Sequence, residues 1–160
     1  MAEGTRWRFA LFIAGVVVLH FVLRVGLGLG VLAPDLLVVA LLLASRRMRP
    51  GGAAGLGFAL GLLEGAANPT VPLGAHSLAL AVVGYLASRS REWLAGDDPV
   101  TMVAYFFVGT LLYLVLLFVL LAVIGAGGSP MAIAIPAVFA SLYAAAVGLG
   151  ASALYRTAVA

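Results

Sequence analysis

The sequence predicts an all-α integral membrane protein, a single transmembrane domain over residues 1–160 with about six spans. Of its 160 residues, 64% are hydrophobic and only 9% are charged, and the mean hydropathy is +1.20. Soluble domains carry about a quarter charged residues, so this composition indicates a chain that lies in lipid. A membrane-crossing helix needs roughly 20 mostly apolar residues. Six stretches meet or approach that length, at 8–24, 27–45, 52–67, 70–88, 99–125 and 131–155.

The composition also narrows the function. There is no Cys, which removes disulfides, thiolate catalysis and Cys-based metal sites together. The polar segments are all short, so they leave no room for a soluble domain or a nucleotide-binding loop. The net charge of +3 comes from loop arginines that set orientation, and it does not indicate nucleic-acid binding.

The arginines test the number of spans. All nine basic residues are Arg. With six spans and a cytoplasmic N-terminus, eight of them fall on the cytoplasmic side and only Arg24 on the other, as the positive-inside rule favours. We therefore expect both termini in the cytoplasm. The eight are Arg6, Arg8, Arg46, Arg47, Arg49, Arg89, Arg91 and Arg156.

The second span is unusually short, whereas the first is a regular apolar stretch that ends at Arg24. Pro34 to Ser45 is only twelve residues, about 18 Å of helix. The Gly-rich stretch before Pro34 must complete the crossing, either as a helix kinked there or as irregular backbone. Irregular backbone is tolerated at membrane depth only where protein or a water-filled cavity covers it. Asp35 is therefore expected beside protein rather than lipid.

The later spans have clearer boundaries. Asn68 marks the outer end of the third span, and the fourth follows it directly. The fifth opens at Asp98-Pro99 and the sixth begins next to Pro130, since Pro and acidic residues suit helix N-termini. No charged residue lies between Pro99 and Tyr155. We therefore expect a polar, functional half over about 8–90 and supporting helices over about 99–155.

Polar side chains predict a cluster at one depth. A carboxylate inside the membrane is costly unless it is partnered, so it marks function or a specific internal contact. Counting about 1.5 Å per residue from the nearest cytoplasmic Arg places four polar side chains roughly 16–22 Å deep in a core about 30 Å thick. They are His20, Asp35, Glu64 and His76. With Arg24 a turn further out and Asn68 nearby, they predict an outward-opening cluster that binds a partner or holds the fold.

Each member has a structural alternative. Asp35 could cap a helix and pair with Arg24, and Glu64 could be hydrogen-bonded to backbone or to Asn68. The two histidines are typical of satisfied structural residues. No metal site is predicted, because no H-E-x-x-H or similar spacing occurs, and no cofactor is expected.

Glycines predict a close helix contact beside Glu64. Gly57, Gly61 and Gly65 are four residues apart and share one helix face, where missing side chains let a second backbone approach. The neighbour belongs to this chain or to a partner, and packing within the chain is favoured.

Several motifs between residues 34 and 90 resemble the family of the bacterial rod shape-determining protein MreD. They follow one another as Pro34-Asp35-Leu-Leu in a short apolar helix, an Arg turn, Gly55 to Gly65 with an acid near its end, Pro72-Leu-Gly74-Ala-His76, and Val83-Gly84-Tyr85-Leu86. Length and predicted span count also agree. The family typically carries Asp where this chain has Glu64, and the segment 66–71 departs from its pattern.

The resemblance implies a non-enzymatic scaffold of the cell-elongation complex in the bacterial inner membrane, with a fold similar to the substrate-binding subunits of energy-coupling-factor transporters. Its partners would be MreC, which has one transmembrane helix and a periplasmic coiled coil, and with it MreB, the glycosyltransferase RodA and its penicillin-binding partner. The polar cluster and the glycine face would receive a helix or juxtamembrane segment of the partner.

Two other functions compete with this interpretation. A vitamin-type substrate-binding subunit of a transporter would share the six-helix layout, although the presumed pocket lacks abundant Asn, Gln, Ser or Trp. An intramembrane enzyme is rejected unless Glu64 and Asp35 lie close together, because His76 and Ser77 are about 100° apart on a helix and only one intramembrane Asp exists.

Overall fold

The computed structural model describes residues 3–26, 35–68, 71–91, 98–126 and 129–159, and within these ranges the chain is helical, with no strand. The first helix, α1, covers Glu3–Phe21 and continues as a π-helical turn, Val22–Gly26. The all-helical fold class predicted from the composition is therefore confirmed. The other described helices are α2 (Leu36–Ser45), α3 (Pro50–Ala67), α4 (Leu73–Arg89), α5 (Pro99–Val123) and α6 (Pro130–Val159).

Within the described residues, three apolar stretches are long enough to cross a membrane by length and composition. They are Trp7–Arg24, Pro99–Val123 and Ala134–Tyr155. The remaining helices are shorter or less apolar, with ten residues in α2, 18 in α3 and 17 in α4. Six crossings therefore stay a prediction. The prediction that a kinked helix or irregular backbone completes the second span concerns residues 27–34, which lie outside the described ranges.

α2 lies at the centre of the bundle. All ten of its residues are buried, and it contacts each of α1, α3, α4, α5 and α6. A helix that is apolar all round is stable when it is covered on every side, which explains why the sequence LLVVALLLAS occupies this position. The hydroxyl of Ser45, the last residue of α2, donates to the Leu41 carbonyl at 2.7 Å. We call its two ends the Asp35 end and the Arg46 end.

The surrounding helices follow one another in space. α3 packs on α4, α4 on α5 and α5 on α6, while α6 touches α1 more lightly. Tyr105 of α5 fastens the centre to this ring, because its hydroxyl donates to the carbonyls of Leu42 (3.1 Å) and Ala87 (3.4 Å). Contact between α1 and α3 is sparse, so the ring has an opening between these two helices.

Glycines bring α3 and α4 together as the most extensive helix pair. A Cβ atom at Gly57 would strike the Leu80 carbonyl of α4, and one at Gly61 would lie 2.5 Å from the Ser77 nitrogen. These are backbone atoms that cannot rotate aside, so only glycine permits this approach. Gly65 is buried further along α3. The neighbour of the predicted glycine face is thus α4 of the same chain.

Two further glycines allow close packing elsewhere. A Cβ atom at Gly84 of α4 would strike the Ala53 carbonyl of α3, so this pair of helices is tight in both directions. Gly148 of α6 faces the ring of Phe106, which would lie 2.6 Å from a Cβ atom placed there. The supporting helices therefore pack through small residues as well.

Candidate functional site

Glu64 is the centre of the polar cluster. It lies one turn beyond Gly61 on α3, and with 2% of its side chain exposed it is enclosed by protein. Its Oε1 is 2.6 Å from Nη1 of Arg24, and its Oε2 is 3.1 Å from Nε2 of His20. The carboxylate is thus held by two basic side chains of α1 and its π-helical turn. A hydrogen bond from Asn68, one of the alternatives considered for Glu64, stays a prediction.

The spacing in α1 accounts for this arrangement. His20 and Arg24 are four residues apart, so they lie on nearly the same side of the helix. The His20 side chain is fully buried, whereas Arg24 is 27% exposed and forms the open rim of the cluster. The two residues are carried by the end of α1 and by the π-helical turn that follows it. Such π turns are frequent at functional sites.

Asp35 joins the cluster from the start of α2. Its Oδ1 accepts a hydrogen bond from the Val38 N–H at 3.5 Å, which makes it the N-cap of this helix. It is also within electrostatic reach of His20, Arg24 and Glu64. The predicted cap is confirmed, but the ion pair of Arg24 is with Glu64 and not with Asp35.

The charges of the cluster nearly balance. Asp35 and Glu64 bring two carboxylates, and Arg24 brings one permanent positive charge. One proton, on His20 or on a carboxyl group, would neutralise the set. Charge balance matters most for the buried carboxylate of Glu64, because an unpaired buried charge costs several kcal/mol.

His76 forms a second polar contact that the sequence did not predict. Its Nδ1 lies 2.8 Å from the hydroxyl of Tyr113, and both side chains are buried. Tyr113 belongs to α5, which was expected only to support the fold. A buried Tyr hydroxyl normally finds a partner, so a Tyr in an apolar span was the signal available. Tyr113 is also within electrostatic reach of Asp35 and Glu64.

The remaining predicted residues lie at the margin or elsewhere. Asn68 is the C-cap of α3, where its N–H donates to the Glu64 carbonyl at 3.0 Å. Pro72 is the N-cap residue of α4. Gly74 is exposed with open space where a Cβ atom would be, so it lines no tight contact. Pro34 lies outside the described residues.

Three buried polar atoms in the described chain have no hydrogen-bond partner. They are Nδ1 of His20, Nε2 of His76 and Oγ1 of Thr110. Each histidine therefore has one ring nitrogen engaged within the chain and one that is not. Across the ranges that the structure describes, no three His, Asp or Glu side chains are grouped as ligands for a metal ion.

The cluster joins helices. The Glu64 contacts connect α3 to α1, and the His76–Tyr113 contact connects α4 to α5. The fold and this cluster define an all-helical protein with three membrane-length apolar stretches and an internal polar network. Comparison with known proteins adds no relative: no family model matches the sequence, and no curated protein or solved structure matches it significantly.

Proposed function

We propose that the protein is a non-enzymatic scaffold of the MreD type, a six-span protein of the bacterial inner membrane with cytoplasmic termini. In this role it binds an MreC-type protein through that protein's single transmembrane helix, and the pair directs cell shape with MreB and the RodA synthase. One observation carries the proposal. α3, the helix with the resembling Gly-rich motif, has a second glycine face that nothing in the described chain covers.

The glycine face of Gly57 and Gly61 is not the surface that we propose for the partner. Gly57 and Gly61 are covered by α4, and Glu64 is buried against α1. A partner helix therefore has no access to that face of α3. This corrects the expectation that the glycine face and the cluster together receive the partner.

The outer face of α3 suits a transmembrane helix. Gly51, Gly55 and Ala59 are four residues apart and exposed, and no atom lies within 4 Å of a Cβ atom placed on either glycine. Phe58 and Leu62 flank them with exposed apolar side chains. Small residues four apart let helices in lipid approach closely, and van der Waals contact then drives association. The polar cluster behind this face holds α3 in place.

The alternative of a vitamin-binding transporter subunit has less support. Glu64, His20 and Arg24 bond to one another rather than lining an open polar cavity. The cavity between α4 and α5 and the cavity between α1 and α3 both lie at the Arg46 end, and apolar side chains form most of their lining. Enzymatic function would need a nucleophile beside a base, and His76 instead contacts Tyr113.

Co-purification tests the proposal. The tagged full-length protein, expressed with the MreC-type protein of the same bacterium, should retain it through detergent extraction. Depletion of the protein from rod-shaped cells should make them round. Absence of both results would contradict the proposal, and a vitamin retained through purification would favour the transporter subunit.

A further inference from the structure

At the Arg46 end of the bundle, Arg47 is fixed in one position. Its Nη1 donates to the Tyr155 hydroxyl at 2.8 Å. Its guanidinium also lies over two aromatic rings, 4.2 Å from the centroid of Phe9 and 4.7 Å from that of Tyr155. These contacts come from α1 and α6, so two helices hold one positive charge. Tyr155 accepts from only one of the five N–H donors of the guanidinium.

The loop that carries Arg47 is held as well. The Met48 carbonyl accepts from the Ser88 hydroxyl of α4 at 2.7 Å. α3 then begins at Pro50, and its N-cap residue Arg49 makes no side-chain capping bond. The exposed first turn of α3 therefore presents backbone N–H groups and the positive end of the helix dipole next to Arg47.

An apolar groove starts at this fixed charge. It has a volume of about 450 Å³ and occupies the opening of the ring between α1 and α3, with α2 as its floor. Among the described residues that line the groove, Arg47 is the one charged side chain. The other lining residues are Phe9, Ala10, Ile13, Ala44, Met48 and Leu56.

Two apolar stretches place Arg47 at the level of the lipid headgroups. Its ring partner Phe9 lies two residues inside the stretch that begins at Trp7, and its hydroxyl partner Tyr155 ends the stretch from Ala134. Trp7 is 70% exposed, and exposed Trp at the end of a span is typical of the membrane interface. The positive charge thus lies where phosphates lie, and the groove extends from there along the apolar part of α1.

We propose that this site binds an anionic phospholipid, with its phosphate on Arg47 and the first turn of α3 and one acyl chain in the groove between α1 and α3. Charge complementarity favours an anionic headgroup, because the described opening of the groove has the Arg47 guanidinium and a helix start without a side-chain cap. The apolar lining selects the chain. The site lies at the opposite end of α2 from the polar cluster, and the α3 residue that lines its groove is Leu56 rather than Gly55, so lipid binding and partner binding can be tested separately.

Native mass spectrometry of the purified, delipidated full-length protein tests this inference. The probes are dioleoyl phosphatidylglycerol and dioleoyl phosphatidylcholine, which share acyl chains and differ in net charge. Phosphatidylglycerol should bind about tenfold more tightly, and Arg47→Gln should remove most of that preference, since one charge-assisted contact corresponds to about that factor. Leu56→Trp, which fills the groove and keeps the charge, should weaken binding of both lipids.

Arg89→Gln is the matched control, because Arg89 is an exposed Arg at the mouth of another apolar groove, between α4 and α5. It should leave the preference unchanged. Tyr155→Phe, which removes only the hydroxyl contact, keeps the inference testable if Arg47→Gln fails to fold, and should lower the preference severalfold. Equal binding of the two lipids, equal losses in Arg47→Gln and Arg89→Gln, or binding of glycerol phosphate as tight as that of the lipid would overturn it.

Discussion

Arg24 and Glu64 form an ion pair of 2.6 Å between two helices that otherwise touch little. The pair closes the ring between α1 and α3 at the Asp35 end, and the groove stays open between the same helices at the Arg46 end. Glu64 reaches this position because α4 presses on the glycine face beside it. The buried Glu64 carboxylate therefore helps to fix the position of α1 relative to α3 through its contacts with Arg24 and His20.

Replacing Arg24 should destabilise the protein strongly. Arg24→Gln leaves Glu64 buried with only His20 beside it, and breaking a buried pair from one side costs about 3–5 kcal/mol. The free energy of unfolding in detergent micelles measures this. Arg89→Gln, which removes an exposed Arg, is the control and should change that free energy little.

The double variant separates pairing from simple loss of charge. Arg24→Gln with Glu64→Gln removes both charges of the ion pair, so Glu64 is no longer a buried charge without its partner. Its destabilisation should be smaller than the sum of the two single effects, with the difference giving the interaction energy. Strictly additive effects would show that the two side chains act independently.

A methyl group at Gly61 should weaken the fold, and the same change at Gly55 should not. Gly61→Ala brings a Cβ atom to 2.5 Å from the Ser77 nitrogen, and α4 must move away because backbone cannot rotate aside. Overpacking of this kind costs about 1–3 kcal/mol. At Gly55 the space is open, and Ala is the better helix former. Thermal unfolding of the two variants measures the difference, and similar melting temperatures would contradict this account of the α3–α4 contact.

Much of this architecture follows from local sequence. The helix boundaries near 50–67, 73–89 and 99–123 are set by Pro50, Pro72 and Pro99, which suit helix starts. The burial of α2 follows from the absence of any polar face in its ten residues. Asp35, Glu64 and His20 were predicted at one depth from Arg spacing alone, and in the structure they lie within electrostatic reach of one another.

Pairing within the cluster depends on the rotation of each helix, which spacing along the chain leaves open. The sequence offered both Asp35 and Glu64 as partners for Arg24, and the choice follows from the π-helical turn that directs Arg24 toward α3. The contact of Tyr113 with His76 was not predicted, because an uncharged hydroxyl in an apolar span does not by itself indicate a polar cluster. The sequence-based prediction named only the glycine face of Gly57, Gly61 and Gly65, and the position of α4 shows that the open face of α3 is that of Gly51 and Gly55.

Removal of the Tyr113 hydroxyl should have a modest, purely structural effect. Tyr113→Phe leaves the ring in place and takes away the hydrogen bond to Nδ1 of His76, whose other ring nitrogen already lacks a partner. An unsatisfied buried polar group costs about 1–3 kcal/mol. We expect a lower melting temperature with unchanged co-purification of an MreC-type protein. Leu112→Ile, at the neighbouring position of α5, is the control for a small change of shape.

Acid should loosen the start of α5. Asp98 caps this helix, and its pKa is lowered below 3.8 by hydrogen bonds from the hydroxyl and the N–H of Thr101. A lowered pKa in the folded state means that the stabilisation is complete above the unfolded pKa and is lost as the pH falls through the folded pKa. Hydrogen exchange of the amides of 100–102, corrected for intrinsic rates, should speed up in that window. Asp98→Asn, which keeps a capping oxygen without the titration, should remove the pH dependence.

A bulky side chain at Gly55 should abolish partner binding without unfolding the protein. Gly55→Leu places a side chain in the open space over the outer face of α3, where it would hold a partner helix away by several ångströms. Gly150→Leu is the matched control, because Gly150 is also exposed in a helix with no atom within 4 Å of its Cβ position, but lies on α6. Co-purified MreC-type protein should fall at least tenfold for Gly55→Leu and remain unchanged for Gly150→Leu, with equal melting temperatures for both variants. Equal retention by the two variants would exclude the outer face of α3 and point to the apolar faces of the other helices.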